Sequence, residues 1–497
     1  MTVVEQPDAA PDRAPERGTW ALLRPLVLRI HFWAGVLVGP FLLVAALTGL
    51  VYTLMPSLEP VVYRDELTVP ASEAQVPLAD QVRVGMDAMP GTELRSVRPG
   101  PTPTDSTQVI ANDPALPESS YRTAFVDPHT GDLRGVLETY GSGQAMPLRA
   151  WVDQLHRNLH LGDAGRLYTE LAASWLWVLV LAGLALWVGL IRRRRTERAA
   201  ALLVPRVSGG RRARLLSWHA VVGLWAAIGL LFLSATGLTW STYAGENIGA
   251  LREQLSWETP EPASALPGTT GVVPEAGAHA DHGGTPGTSA AEASPSSYDL
   301  AARVAADHGL DGLVEITPGE EPGAATTVTQ IDRTWPEEHD AIALDPATGQ
   351  VTDVVRFADW PLAAQLATYG IDAHMGYLFG VANQVVLAVL AAGLACMVVW
   401  GYVLWWRRGP GRRPGHVPAD GVLRSLPRPQ LAGVVVVTIA VGVALPLLGA
   451  SLLVFLLLES LLDRRRTGGP PEPARDTVPA AEDPVRRRPD RHHGRGA

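Results

Sequence analysis

Lysine is absent from this 497-residue chain; all 41 of its basic side chains are arginine. Alongside abundant alanine, 49 glycines and 41 prolines, that reads as the codon usage of a GC-rich genome and carries no mechanism. Cysteine is nearly absent too. The one thiol, Cys396, lies inside an apolar block, which excludes an internal disulfide outside the membrane, a thiolate metal site and an iron–sulfur cluster. Also missing are a nucleophile with a base partner, a Gly-rich phosphate loop, an HExxH zinc helix and a dinucleotide-binding fingerprint. Hydrolytic chemistry and a built-in nicotinamide or flavin domain are therefore unsupported. The stretch before Gly18 is charged and Pro-rich, with no apolar core ending in a cleavage site. No removed signal peptide is expected, and the first membrane helix serves as its own targeting signal.

What is present is apolar and unevenly spread. Runs near 31–54, 171–191, 218–240 and 377–404 are each long enough to cross a bilayer, which needs about 20 apolar residues. They contain almost no charge, which argues against a transporter's ion path. A fifth region, 431–462, carries Pro446 and Gly449 at its middle; it is either a tight hairpin or one tilted, kinked helix. The net charge of -9 hides a segregation of signs, and nucleic-acid binding is not indicated. Arg24 and Arg29 precede the first span; Arg192 to Arg195, Arg198, Arg211, Arg212 and Arg214 lie between the second and third; Arg407, Arg408, Arg412 and Arg413 follow the fourth. Positive flanks stay in the cytoplasm, so the N-terminus is expected inside and residues 56–155 and 241–372 outside.

The two outer segments resemble each other. Each contains Asp-Pro-x-Thr-Gly (Asp127 to Gly131; Asp345 to Gly349) between strand-like runs, Tyr121–Val126 with Asp132–Leu137 and Asp340–Leu344 with Gln350–Val355. Pro and Gly there supply turn dihedrals. A candidate helix precedes each hairpin, at Leu78–Met89 and Tyr298–His308. The expected fold is an α-helical integral membrane protein: a four-helix membrane core of two tandem helix–outer domain–helix repeats, a C-terminal apolar hairpin and two small extracytoplasmic α+β domains. Along the chain this gives a cytoplasmic tail (1–24), a first span (25–55), a first outer domain (56–150), a re-entry segment with the second span (151–191) and an Arg-rich loop (192–215). A third span (216–242), a linker (243–297) that is disordered from about 259, a second outer domain (298–372), a fourth span (373–406), a loop (407–428), the hairpin (429–463) and a disordered tail (464–497) follow.

The histidines repeat with the plan. His31 opens a span with Gly35 and Thr48-Gly49-Leu50 behind it, and His219 opens another with Gly223 and Thr236-Gly237-Leu238 at the same offsets. Pro147-Leu148 leads after thirteen residues to His160, as Pro361-Leu362 leads to His374; His156 lies one helical turn before His160 on the same face. A lone histidine at a helix end is more often a polar anchor than a ligand. Recurrence in two copies favours paired imidazoles holding two haems at different depths, with Gly35, Gly183, Gly223 and Gly393 giving room for a flat macrocycle. His31 and His219 form the inner layer, and His374 with either His156 or His160 the outer. Trp33, Trp175, Trp177, Trp187, Trp218, Trp225, Trp240, Trp400, Trp405 and Trp406 read mostly as an interfacial aromatic belt. His129 is expected at the surface; His279, Asp281 and His282 in the linker, and His492 and His493 in the tail, are read as solvated rather than as metal ligands.

Taken as a set, His31-Phe-Trp-Ala-Gly35 with Thr48-Gly49-Leu50, Leu155-His156-Arg-Asn-Leu-His160-Leu-Gly162, Trp218-His219-Ala-Val-Val-Gly223 with Thr236-Gly237-Leu238, His374-Met-Gly376 and both Asp-Pro-x-Thr-Gly turns resemble the PepSY-associated transmembrane helix family, over about residues 20–465. That family includes iron-regulated membrane proteins and siderophore reductases. The resemblance implies a four-helix core with two PepSY domains outside and two b-type haems. His31, His219, His374 and His156 match the family's recurrent histidines, and His160 is additional. It further implies residence in the cytoplasmic membrane and electron delivery from a quinol or a cytoplasmic donor to an extracytoplasmic ferric siderophore or similar chelate. PepSY domains are also peptidase regulators, so the resemblance equally supports a cofactor-free protein that binds a peptidase or senses a ligand.

Overall fold

Apolar runs whose backbone groups lipid cannot satisfy have one local solution, a helix bonded to itself. In the computed structural model, which describes residues 19–193, 203–266, 296–319, 321, 323–407 and 426–467, the chain opens with helices α1 (Thr19–Leu37), α2 (Gly39–Tyr52), α3 (Met55–Val62) and α4 (Arg64–Leu67). A first α+β unit follows: α5 (Leu78–Asp87), β1 (Glu93–Arg98), β2 (Thr107–Asn112), β3 (Ser120–Val126) and β4 (Leu133–Tyr140). Helices α6 (Pro147–Asn158), α7 (Gly162–Arg193), α8 (Arg211–Leu238) and α9 (Tyr243–Gln254) lead to a second unit: α10 (Ser296–Asp307), β5 (Val314–Thr317), β6 (Thr326–Gln330), β7 (Ala341–Leu344) and β8 (Val351–Val355). Then come α11 (Leu362–Met375), α12 (Gly380–Trp406), α13 (Arg428–Ala444) and α14 (Pro446–Thr467). Residues 1–18 and 468–497 of the expected tails, the linker histidines and Arg194, Arg195, Arg198, Arg408, Arg412 and Arg413 fall outside the described residues, whereas 19–24 belong to α1 and 464–467 to α14.

Helices α1, α7, α8 and α12 are each long and apolar enough to cross a membrane, and α2 with α3 qualifies as a pair bent by 45°. The protein is a membrane protein. Its helices turn apolar side chains outward, as with Ile228 and Val389, where lipid makes their exposure cheap. The expected first span is two helices because Pro40 has no N–H to give the Val36 carbonyl. The Tyr402 hydroxyl of α12 donates to that carbonyl instead, at 2.5 Å, and its ring fits because position 39 is glycine: a Cβ there would stand 3.1 Å from the ring. Bonds from Val38 N–H to Ala34 O (2.8 Å) and from Leu42 N–H to Val38 O (3.0 Å) carry the helix across the break.

The two α+β units do not keep separate sheets. Their strands form one antiparallel eight-stranded sheet in the order β4-β3-β2-β1-β5-β6-β7-β8, joined where β1 meets β5 with Val97 opposite Ile316. Across that seam Glu315 accepts from Ser96 Oγ (2.5 Å) and pairs with Arg98 (2.8 Å). Helices α5 and α10 contribute Leu78, Val82, Tyr298, Ala301 and Ala305 to a single core with Val97, Val109, Ile316 and Ile342. Asp299 of α10 caps the start of α5 by accepting from Leu78 N–H (2.8 Å) and Ala79 N–H (3.3 Å). Both expected hairpins form, with Gly131 (φ 76°) and Gly349 (φ 73°) closing equivalent turns in the left-handed region, and each carries a bulge just before the turn, at Phe125/Val126 and Ala343/Leu344.

His129 corrects the surface expectation. It is only 7% exposed, and both ring nitrogens face carbonyls, Nδ1 at 2.6 Å from Ala74 O and Nε2 at 2.8 Å from Pro103 O. Two acceptors require two N–H donors, so these bonds favour the imidazolium and hold its pKa above the ordinary value; the Pro103 carbonyl is the leading cause, then that of Ala74. A raised folded-state pKa stabilises fully below the unfolded value, about 6.5. That stabilisation is lost as pH rises through the folded value. Melting of the full chain in detergent should therefore show a component that weakens from pH 6 toward pH 8, and His129→Gln should flatten it. An unchanged pH profile in the variant would refute the assignment.

The C-terminal apolar region breaks into two helices at its middle. Gly442 and Gly449 touch through their backbones, with a Cβ at 449 falling 2.5 Å from Gly442 Cα. In one straight helix those residues would lie about 10 Å apart, so the chain turns sharply at Leu445–Pro446. Buried Leu445 and Leu448 join the core of the membrane helices, and Trp175 of α7 donates to Ser451 Oγ at 2.9 Å. Helix α9 forms in the first part of the linker, ahead of the stretch expected to be disordered. Glu170 of α7, 2% exposed, caps α9 by accepting from Tyr243 N–H (3.1 Å) and Ala244 N–H (3.0 Å), and Asn247 donates to the terminal carbonyls of α13, Val443 O and Ala444 O.

Candidate functional site: two pairs of imidazoles

His31 on α1 and His219 on α8 meet with ring centroids 6.3 Å apart and planes at 78°. Each is held from the neighbouring helix in the same way. His31 Nδ1 lies 3.0 Å from the Leu179 carbonyl of α7, and His219 Nδ1 lies 3.1 Å from the Met397 carbonyl of α12. A carbonyl only accepts, so Nδ1 carries the proton and Nε2 keeps its lone pair. One turn beyond each carbonyl is a glycine facing the ring: Gly183 (a Cβ would be 3.3 Å from His31 Cε1) and Gly401 (4.0 Å from His219 Cε1).

The second pair obeys a different rule, also in duplicate. His156 Nδ1 of α6 lies 2.9 Å from Thr48 Oγ1 of α2, and His374 Nδ1 of α11 lies 2.5 Å from Thr236 Oγ1 of α8. A hydroxyl has one proton, and each threonine directs its own into its helix, Thr48 to Val44 O (2.9 Å) and Thr236 to Phe232 O (2.8 Å). Toward the histidine the oxygen can therefore only accept. Again Nδ1 is the protonated nitrogen and Nε2 the free donor. The following glycines let the rings approach: a Cβ at Gly49 would be 3.1 Å from His156 Cε1, and one at Gly237 3.6 Å from His374 Cε1. His156 and His374 lie within electrostatic reach of each other. Tyr52 stacks on His156 (6.5 Å, 28°), and Trp240 meets His374 edge-on (5.6 Å, 89°).

His160 stands apart. Helix α6 ends at Asn158, Leu159 and His160 both take positive φ (55° and 54°), and the His160 ring is exposed against Trp151. Of the glycines expected to leave room for a macrocycle, Gly183 lies against the His31 ring, Gly35 faces Leu179, Gly223 faces Met397 Sδ and Gly393 faces Val222. Gly49, Gly237 and Gly401 lie against the other three imidazoles. The repeated Thr-Gly-Leu signal contained two of them and both threonines; the carbonyls of Leu179 and Met397 have no signature of their own.

Spacing along the helices separates the pairs. His219 and Thr236 lie on the one helix α8, 17 residues apart, about 25 Å at 1.5 Å per residue, close to the thickness of a hydrocarbon core. The same offset separates His31 from Thr48. These residues fit metal-centred groups bound through paired neutral imidazoles. Two such rings each about 2 Å from a shared metal through Nε2 have centroids roughly 6 Å apart, as His31 and His219 do.

A family model described as the PepSY-associated TM region matches residues 28–408. No curated protein matches the chain.

Proposed function

The chain belongs to the PepSY-associated transmembrane family, and from that premise we propose that it is a haem b oxidoreductase moving electrons across the cytoplasmic membrane to an extracytoplasmic ferric chelate. The observation that carries the reading is the shared tautomer: four buried-facing imidazoles, in two symmetric pairs, each fixed through Nδ1 with Nε2 free. Structural histidines have no reason to repeat that choice four times; ligands do. His31 and His219 would hold the inner haem, and His156 and His374 the outer.

Bound haem supplies reversible one-electron chemistry at a potential set by its axial ligands and burial. The chain's own residues do the rest. Leu179, Met397, Thr48 and Thr236 fix ring orientation and raise the basicity of Nε2; the facing glycines leave the ring edges room; the apolar helices keep water away. Arginine placement assigns the His31–His219 layer to the cytoplasmic side, near a quinol or a cytoplasmic reductase, and the sheet to the outside. The acceptor is a ferric siderophore or similar chelate, as the family resemblance implies. Reduction weakens iron's hold on hard oxygen ligands and frees it for uptake.

Purified protein from a haem-replete host should give a reduced-minus-oxidised b-type spectrum with about two haems per chain, and His219→Ala should leave about one. A colourless protein would overturn the reading and leave the cofactor-free, peptidase-binding alternative.

A further inference from the structure

Among the described residues outside the imidazole pairs, one buried cluster of side chains has no role in the proposed electron transfer and is only partly satisfied internally. Glu337 and His339, in the loop between β6 and β7, converge with Asp372 of α11 so that one donor atom from each lies within 4.8 Å of the others. Glu337 is 6% exposed, and neither of its carboxylate oxygens has a hydrogen-bond partner; His339 Nε2 is likewise buried without one. Glu337 Oε2 stands 3.4 Å from His339 Nε2. That is about the edge of a tetrahedron whose corners lie 2.1 Å from its centre, the bond length of nitrogen and carboxylate oxygen to zinc. The ring of His339 is fixed by stacking on Trp360 (5.9 Å, 27°) and by the edge of Phe357 (5.2 Å, 63°), so its Nε2 is held in place. Arg333 pairs with Asp372 Oδ1, leaving Oδ2 available. Two carboxylates against one guanidinium leave the cluster short of positive charge.

A buried carboxylate that accepts no hydrogen bond is a poor structural choice. Its position is well suited to a cation.

We propose that Glu337, His339 and Asp372 form a binding site for a divalent transition-metal ion of the Zn²⁺ class, separate from the paired imidazoles. One imidazole and two carboxylates are a borderline-to-hard donor set, matching Zn²⁺, Mn²⁺ or Fe²⁺. Such a set disfavours Cu(I), which wants sulfur, and Ca²⁺, which wants six to eight oxygens. The partly exposed His339 leaves one side open for the ion to reach the site. Bound there, the metal would tie the β6–β7 loop to α11 two residues before His374.

The test is equilibrium dialysis of the full-length protein in nanodiscs against ⁶⁵Zn²⁺, after chelator stripping, on wild type, Glu337→Gln and His339→Gln. Both substitutions keep the side-chain size, and neither touches the four core histidines or Arg333. Wild type should show one saturable site more than either variant, with affinity in the variants lower by about 100-fold or more. Zn²⁺ should raise the melting temperature of wild type and not of the variants, a readout that holds if a variant is less stable from the outset. Equal stoichiometry and equal thermal response in all three proteins would overturn the proposal, whether or not haem is bound.

Discussion

Replacing His156 by alanine is expected to remove one of about two b-type haems from the purified protein, and His160→Ala is expected to leave both. Both histidines sit one turn apart in sequence, and the numerical match to His374 selects His160. The proposed function takes His156 instead, on the position of its ring. Its Nδ1 reaches Thr48, as His374 reaches Thr236, while His160 lies past the end of α6 with its ring exposed on Trp151. Haem stoichiometry from a pyridine haemochrome assay separates the outcomes. Loss of a haem in His160→Ala with retention in His156→Ala would reverse the assignment without touching the inner pair. Loss in neither would remove the outer site altogether.

Arg149→Met is expected to destabilise the protein by about 3–5 kcal/mol, the usual consequence of stripping one partner from a buried ion pair. The Arg149 guanidinium lies 2.7 Å from Glu59 Oε2, with side chains 7% and 12% exposed. It also donates to Gly143 O (2.9 Å) and to the Tyr377 hydroxyl, and Arg333 covers the Tyr377 ring at 4.5 Å. Methionine keeps most of the volume and leaves the Glu59 carboxylate with only the Met146 N–H (2.9 Å). The double change Arg149→Met with Glu59→Gln should recover a large part of the loss, because the stranded charge is gone. Denaturant unfolding in detergent measures both. Wild-type stability in Arg149→Met would mean that this pair contributes nothing, despite its burial.

Much of the membrane part is legible along the chain because its cause is local. A run such as Val385–Leu404 must bond to itself in lipid, whatever surrounds it, and the two Asp-Pro-x-Thr-Gly turns close hairpins through their own dihedrals. The duplicated His31/His219 and Thr48/Thr236 offsets also survive intact, since both copies use the same helix rise. Strands β1, β2, β5 and β6 leave a weaker trace. Their partners are distant, and the β1–β5 seam that fuses two expected domains into one sheet depends on Val97 meeting Ile316. Counting to His160 rests on α6 running as long as α11, whereas α6 stops at Asn158. The Glu337–His339–Asp372 cluster left no signal, because its members come from a loop and a helix with no shared spacing.

By itself, the sequence determined that this is a duplicated membrane protein with histidines at matching places in both copies, because helix formation in lipid and hairpin turns are decided within short stretches of chain. Tertiary structure decided which histidines lie near one another and what each Nδ1 faces. Those depend on carbonyls and hydroxyls that neighbouring helices bring to the ring, and a proton's place on an imidazole is set by whatever accepts its hydrogen bond.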